Sequence, residues 1–196
     1  MIDKSIIYRA LAPDSIRISE LELLARLGGS SDGVSETVSR MKSRILQLAE
    51  PKFAAIKVEV GKSGDSITLF GEKITAVALK KCLDGAKSAY IMAVTLGPMV
   101  DRELISLSKR SQSEHFVLDA VSSAYVEAAA DATEEELLSG VPHTKRFSPG
   151  YSDVPLRLQK IILDRLCAER LLGVTLTDES LMIPTKTITA IIGVKD

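Results

Sequence analysis

Apolar residues recur along this chain at two spacings, and the switches between them outline its elements. Val34, Val38, Met41, Ile45 and Leu48 step by four and three, which predicts an amphipathic helix ending before Pro51. Leu21, Leu24 and Leu27 predict a shorter helix that stops at Gly28-Gly29. Ile56, Val58 and Val60 then alternate with Lys57 and Glu59. After the turn Lys62-Ser63-Gly64-Asp65 the alternation resumes at Ile67 and Leu69, so a β-hairpin is expected. Thr75 to Leu83 reads as a helix and Tyr90 to Leu96 as a buried strand. Pro98 suits the first turn of a helix that sends Val100, Leu104 and Leu107 inward.

The longest helix is expected from about Glu114 to Leu138, and its many Ala and Ser residues allow a backbone or a ligand to come close. Polar residues from Ser139 to Lys145 follow. A helix carrying Leu158, Ile161, Ile162, Leu166 and Leu172 comes next, capped by Ser152 or Asp153 and terminated by Gly173. A final strand runs from roughly Thr187 to Val194. Strands and helices do not alternate as a βαβ series, so the fold class is α+β.

Composition narrows the function classes. The chain has 196 residues, 45% of them hydrophobic, and a formal net charge of −1, which fits one soluble globular domain, or two small ones, with a proper core. The balance of charges argues against an extended nucleic-acid footprint, and no apolar run approaches a membrane span. The N-terminus shows no signal-peptide core, and Cys82 and Cys167 lack paired spacing, which together suit a cytoplasmic protein with reduced thiols. His115 and His143 do not sit at metal-ligand spacing, so no metal site is expected. Gly61-Lys62-Ser63 imitates the end of a phosphate-binding loop, but Ile56 stands where that loop needs its first glycine. There is no Gly-x-Gly-x-x-Gly and no cysteine triplet for an iron–sulfur cluster.

The densest chemistry lies in Arg146-Phe147-Ser148-Pro149-Gly150-Tyr151-Ser152-Asp153. Pro149 fixes its own φ, and Gly150 can take a positive φ that a side chain would resist. The loop could therefore hold main-chain groups open between a guanidinium suited to carboxylates and an aromatic ring. The same residues also fit an ordinary surface turn. Glu127 falls among Ala120, Ser123, Ala124 and Ala130 at helical spacing, with Asp131 one turn later. Asp131 and the run Glu134-Glu135-Glu136 read as a solvated face.

The Arg-x-x-x-Gly-Tyr loop followed by an amphipathic helix resembles the S-adenosylmethionine-binding activation domain of cobalamin-dependent methionine synthase, in its free-standing version. Three further stretches resemble that family in the family's order. They are Ala93-Val94-Thr95-Leu96-Gly97 into Val100-Asp101, Leu118-Asp119-Ala120 to Val126-Glu127, and Gly173-Val174-Thr175-Leu176-Thr177 to Met182-Ile183-Pro184. The resemblance implies a mainly antiparallel sheet with long helices. Residues 1–70 would supply N-terminal helices and a β-hairpin, and residues 71–196 the S-adenosylmethionine-binding part of the same domain.

Carried over, the resemblance makes Arg146 the partner of the methionyl carboxylate and Glu127 a ligand contact. Phe147 and Ser148 would present main-chain groups, Gly150 would permit close approach, and Tyr151 would pack on the ligand or fix the loop. The family's aromatic pair near the final strand would fall at Ile191 and Ile192, so its ring contact with the ligand is expected to be lost, and its N-terminal acidic contact has no match among Asp3, Asp14 and Asp32. The implied role is assistance with reductive methylation, the reactivation of a cobalamin-dependent methionine synthase or related corrinoid methyltransferase. A flavodoxin-like or other donor would supply the electron. The Asp-x-His-x-x-Gly motif of cobalamin carriers is absent, so the cobalamin would sit on a partner protein. No self-contained catalytic constellation is present. Two alternatives stay open: an interaction module that kept the fold without the ligand, and an enzyme acting on another small carboxylate.

Overall fold

Alternation along a strand sends Phe53 and Ala55 to one face and Ala54 and Ile56 to the other, and all four are buried. They belong to β2 (Lys52–Glu59), part of an antiparallel sheet ordered β1-β2-β6-β9. The other strands are β1 (Ile7–Ala10), β6 (Ala86–Thr95) and β9 (Thr187–Lys195). The structure, a computed structural model, describes residues 3–30, 33 and 35–195. Val34 and Asp32 lie outside the described residues.

A sheet apolar on both faces needs a cover on each side, and the two covers differ. The first is built from α1 (Glu20–Arg26), α2 (Ser35–Leu48), α4 (Pro98–Arg110) and α5 (Gln112–Leu138). These helices pack around Phe53, Met92, Val94, Ala190 and Ile192. Val38, Met41 and Ile45 of α2 point inward as their spacing predicts. On α1 the buried residue is Leu23, whereas Leu21 is 80% exposed, so the Leu21–Leu24–Leu27 stripe marks the helix but not its inner face. Gly97 precedes Pro98 at N1 of α4, which buries Val100, Leu104 and Leu107.

Helix α5 is the hub of this layer, contacting β6, β9, α1, α2 and α4. Ala120, Ala124, Ala128, Ala129 and Ala130 are buried, so its small residues admit neighbouring elements of the same fold. Its Tyr125 hydroxyl donates to Pro13 O at 2.7 Å, and burial, aided by the charge of Asp14, pushes its pKa to about 12.

The second cover is made of short pieces. Strands β3 (Gly61–Ser63), β4 (Ser66–Leu69) and β5 (Glu72–Ile74) form a small meander. Beside it lie α3 (Val77–Cys82), α6 (Leu158–Arg165), α7 (Ala168–Leu172) and the pair β7 (Thr175–Leu176) and β8 (Met182–Ile183). They bury Ile67, Leu69, Leu79, Ile162 and Leu172 against Ala54, Ile91 and Ile191 of the sheet.

Two expectations need correction here. The predicted hairpin uses Gly61–Ser63 as its first strand, because β2 pairs with β6 instead. The single helix expected from Leu158 to Leu172 is broken at Cys167, whose φ is +49°, giving α6 and α7. Leu166 and Leu172 lie six apart, a step that a straight helix rotates to a different face. The break brings both inward.

The observed class is α+β, with an antiparallel sheet and long helices in one domain. The sheet takes β1 and β2 from residues 1–70 and β6 and β9 from residues 71–196. Among the described residues, no helix is long and apolar enough to cross a membrane.

Candidate functional site

After α5 the chain turns back and runs as a strap antiparallel to β9. Lys195 N donates to Pro142 O at 2.8 Å, and Thr144 N to Gly193 O at 2.9 Å. The Thr144 hydroxyl accepts from Gly193 N at 2.9 Å. Phe147 and Ile191 exchange both main-chain hydrogen bonds, at 3.0 and 2.8 Å. Gly193 is required for this close approach. A Cβ there would stand 2.8 Å from Leu83 Cδ2 and 3.0 Å from both Ala86 Cβ and Thr144 Cγ2.

The strap fixes the main chain on both sides of Arg146, so the guanidinium is delivered to one place beside α5. The turn that follows holds Gly150 at φ +86°, with its N–H donating to Val154 O at 3.0 Å. This is the positive φ anticipated from the Pro149-Gly150 pair. A Cβ at Gly150 would lie 3.1 Å from Leu156 Cδ1. Asp153 does act as a helix cap, but of α3: its carboxylate accepts from Val77 N at 2.5 Å and Ala78 N at 3.1 Å. Helix α6 starts without a side-chain cap.

Strap, turn and α5 enclose a cleft of about 510 Å³, lined by Glu127, Asp131, Glu134, Lys145, Arg146, Phe147, Ser148, Tyr151 and Ile188. Glu127, Arg146, Phe147, Ser148 and Tyr151, five of the residues singled out from sequence, thus share one cavity. Gly150 shapes the turn without lining it. The volume lies within the ordinary range for small-molecule sites.

Arg146 is the centre of the cleft's electrostatics. Its Nη1 lies 2.6 Å from Asp131 Oδ1 and 2.8 Å from Glu134 Oε2, and its Nη2 lies 3.4 Å from Glu127 Oε2. Burial disfavours the charged guanidinium, but hydrogen bonds and charges from Asp131 and Glu134 outweigh it and hold the pKa above its ordinary value. Glu127 also stands 4.0 Å from Arg26 of α1, which is bonded to Glu22 at 2.8 Å. Among the lining residues three carboxylates face two cations, so the cleft carries an excess of one negative charge.

Several placements differ from the sequence reading. Glu134 is not merely a solvated acid: its side chain is 21% exposed and bonded to Arg146 and His143. Phe147 commits its main-chain N–H and C=O to Ile191, and its ring packs with Ile191 against the core on the sheet's second face, so it borders the cleft through its position in the strap. Ile191 and Ile192 are fully buried within the two cores, and the residue of the last strand that reaches the cleft is Ile188. Strand parity explains this: Ile188 and Ile192 face α5, while Ile191 points to the other side. Asp3 is bonded to Ser5 and Asp14 lies in a short 3₁₀ turn, so neither is placed at the cleft. The N-terminal contribution near Glu127 is a cation, Arg26. Among the described residues, no group of three His, Cys, Asp or Glu side chains is arranged to hold a metal ion.

Comparison with known proteins bears on the fold. No family model matches the sequence, and no curated protein matches it. The structure is similar to the MetH reactivation domain solved bound to AdoHcy, with a TM-score of 0.73, covering 96% of this chain and 78% of that one at 14% identity. The fold is that of the reactivation domain. At this identity the reactivation-domain likeness establishes architecture and leaves the ligand to be argued from the cleft.

Proposed function

We propose that the protein binds S-adenosylmethionine in the Arg146 cleft and presents it to a separate cobalamin-carrying protein. The observation that carries this reading is the cleft itself: a fixed arginine opposite a row of carboxylates, on a reactivation-domain fold. S-adenosylmethionine is a net cation that combines a sulfonium, an ammonium and a carboxylate. The excess negative charge of the lining complements that ligand, and Arg146 complements its carboxylate. The neighbour's AdoHcy is a molecule of the same nucleoside class, which supports the reading.

When bound, S-adenosylmethionine supplies an electrophilic methyl group. The chain's own task is binding and orientation. Arg146 would take the ligand carboxylate, with Glu127, the most loosely held of its three partners, turning to the ligand ammonium. Tyr151, which is 70% exposed, would cover the ligand from the rim, and Ile188 would supply apolar surface. The partner would be a cobalamin-dependent methionine synthase or related corrinoid methyltransferase in the cytoplasm, with a flavodoxin-like protein as the electron donor.

Calorimetric titration with S-adenosylmethionine tests the binding step. Micromolar binding is expected, weakened by about 2–5 kcal/mol in Arg146→Ala. Arg146→Lys keeps the charge that balances the three carboxylates but loses the fork, so it should fold normally and still bind poorly. Unchanged affinity in both variants would rule out the carboxylate role. For the partner step, methylation of an oxidised corrinoid protein should require this protein, the ligand and the electron donor together.

One observation favours a second reading. Arg146 already has three carboxylate partners, which also suits a structural ion cluster in an interaction module. In that case the titration gives no heat.

A further inference from the structure

His143 stands on the strap three residues before Arg146, and its ring is held from both ends. Nδ1 lies 2.6 Å from Val141 O, and Nε2 lies 3.0 Å from Glu134 Oε1. Both partners are acceptors without a proton to give. A neutral imidazole carries one N–H, so either tautomer leaves a lone pair aimed at an oxygen; the imidazolium satisfies both contacts. The other oxygen of the same carboxylate, Glu134 Oε2, accepts from Arg146 Nη1 at 2.8 Å. Histidine, glutamate and arginine therefore form one continuous chain into the cleft.

We propose that His143 is a positioning residue for Arg146, acting through Glu134, and that its protonation sets how free the guanidinium is to take a carboxylate. Protonated His143 shares the charge of Glu134 and holds it by Oε1. On deprotonation the shorter contact, to Val141 O, keeps the remaining proton on Nδ1, so Nε2 turns a lone pair to Glu134, which then places its full charge on Arg146 in competition with an incoming carboxylate. The charged groups around His143 are consistent with this. Helix α5 offers Glu134 and Glu135, the strap itself carries Lys145 and Arg146, and β9 ends nearby at Lys195, whose N–H is bonded to Pro142. On the far side of the strap the Cys82 thiol donates to Lys145 O at 3.6 Å. The hydrogen bond to Val141 O, followed by Glu134, raises the His143 pKa despite some desolvation. The affinity part of the proposal rests on the ligand reading above; the coupling between His143 and Arg146 does not.

The test has one arm for each. Without ligand, the His143 ring resonances and the Arg146 side-chain N–H resonances are followed across pH by NMR. They should titrate with one midpoint, above that of a model imidazole, and Glu134→Gln should lower the His143 midpoint and uncouple Arg146. An Arg146 signal that does not move through the His143 titration overturns the proposal, whether or not any nucleoside binds. With ligand, affinities of S-adenosylmethionine and its decarboxylated analogue are compared across the same range, which isolates the carboxylate. The preference for the carboxylate form should fall severalfold as pH rises, and His143→Gln should abolish that slope. A slope unchanged in His143→Gln overturns the proposal; binding of neither compound overturns the ligand reading and leaves the NMR arm to decide the coupling.

Discussion

The two faces of the central sheet are covered by different kinds of structure. One face lies under helices such as the 13-residue α4 and the 27-residue α5, each long enough to bury a stripe of its own. The other lies under helices of five to eight residues and strands of two to four. Isolated helices of that length are marginal in water, so the second face depends on caps and contacts brought from elsewhere in the chain. Asp153 reaches α3 from the turn after the cleft, and Arg165 of α6 donates to Phe70 O at 3.2 Å. The cleft belongs to both regimes: its acids stand on the rigid α5, and its arginine on a strap tied to the sheet edge.

The sharpest way to break the helical face is Phe53→Ala. Phe53 is fully buried under the helices, and its loss should cost about 3–5 kcal/mol in denaturant unfolding, with amides of both faces losing hydrogen-exchange protection together. Gly193→Val acts at the sheet edge on the second face, where a side chain meets Leu83, Ala86 and Thr144. About 1–3 kcal/mol of destabilisation is expected, along with loss of ligand binding as the strap lifts; a variant with normal affinity would show that the strap does not need this approach. Asp153→Ala should cost about 1 kcal/mol and raise exchange in α3 and the 148–154 turn while α5 stays protected. Equal loss of protection in α5 would mean that the two covers open as one unit.

The smallest effect concerns His143. Its pKa is raised in the folded state, so its contribution is fully present below the unfolded value of about 6.5 and is lost as pH rises through the higher folded value. Stability of the wild type should decline across that window relative to His143→Gln, and parallel pH profiles would remove His143 from the account.

This division also explains what could be read from the sequence. The helical face was legible because Val38-Met41-Ile45 and Val100-Leu104-Leu107 repeat over several turns with a proline or glycine at an end. Strand β1 was missed because a four-residue strand with three exposed positions carries no pattern. The turn residues Arg146, Gly150 and Tyr151 stood out by chemistry. Glu134 did not, because its neighbours Glu135 and Glu136 are exposed and hid it in an acidic run. The spacing of Glu127, Asp131 and Glu134 by four and three was the available signal for a common face. Ile188, the last-strand residue that lines the cleft, was not singled out; counting alternate positions back from Ile192 would have placed it on the α5 face.

The strap has a second consequence, for behaviour in a crowded solution. Strand β9 is the last in the sheet order, and its sequence from Thr187 to Lys195 is apolar, β-branched and free of internal charge before its final residue. Left bare, such an edge is a template for pairing with another chain. The strap occupies it at Pro142, Thr144 and Phe147, so the segment that aims Arg146 also shields the edge most prone to self-association. The shape of the cleft is therefore tied to protection of that edge. Substitutions that loosen the strap to widen the cleft would expose β9 at the same time, which narrows the routes by which this region can change.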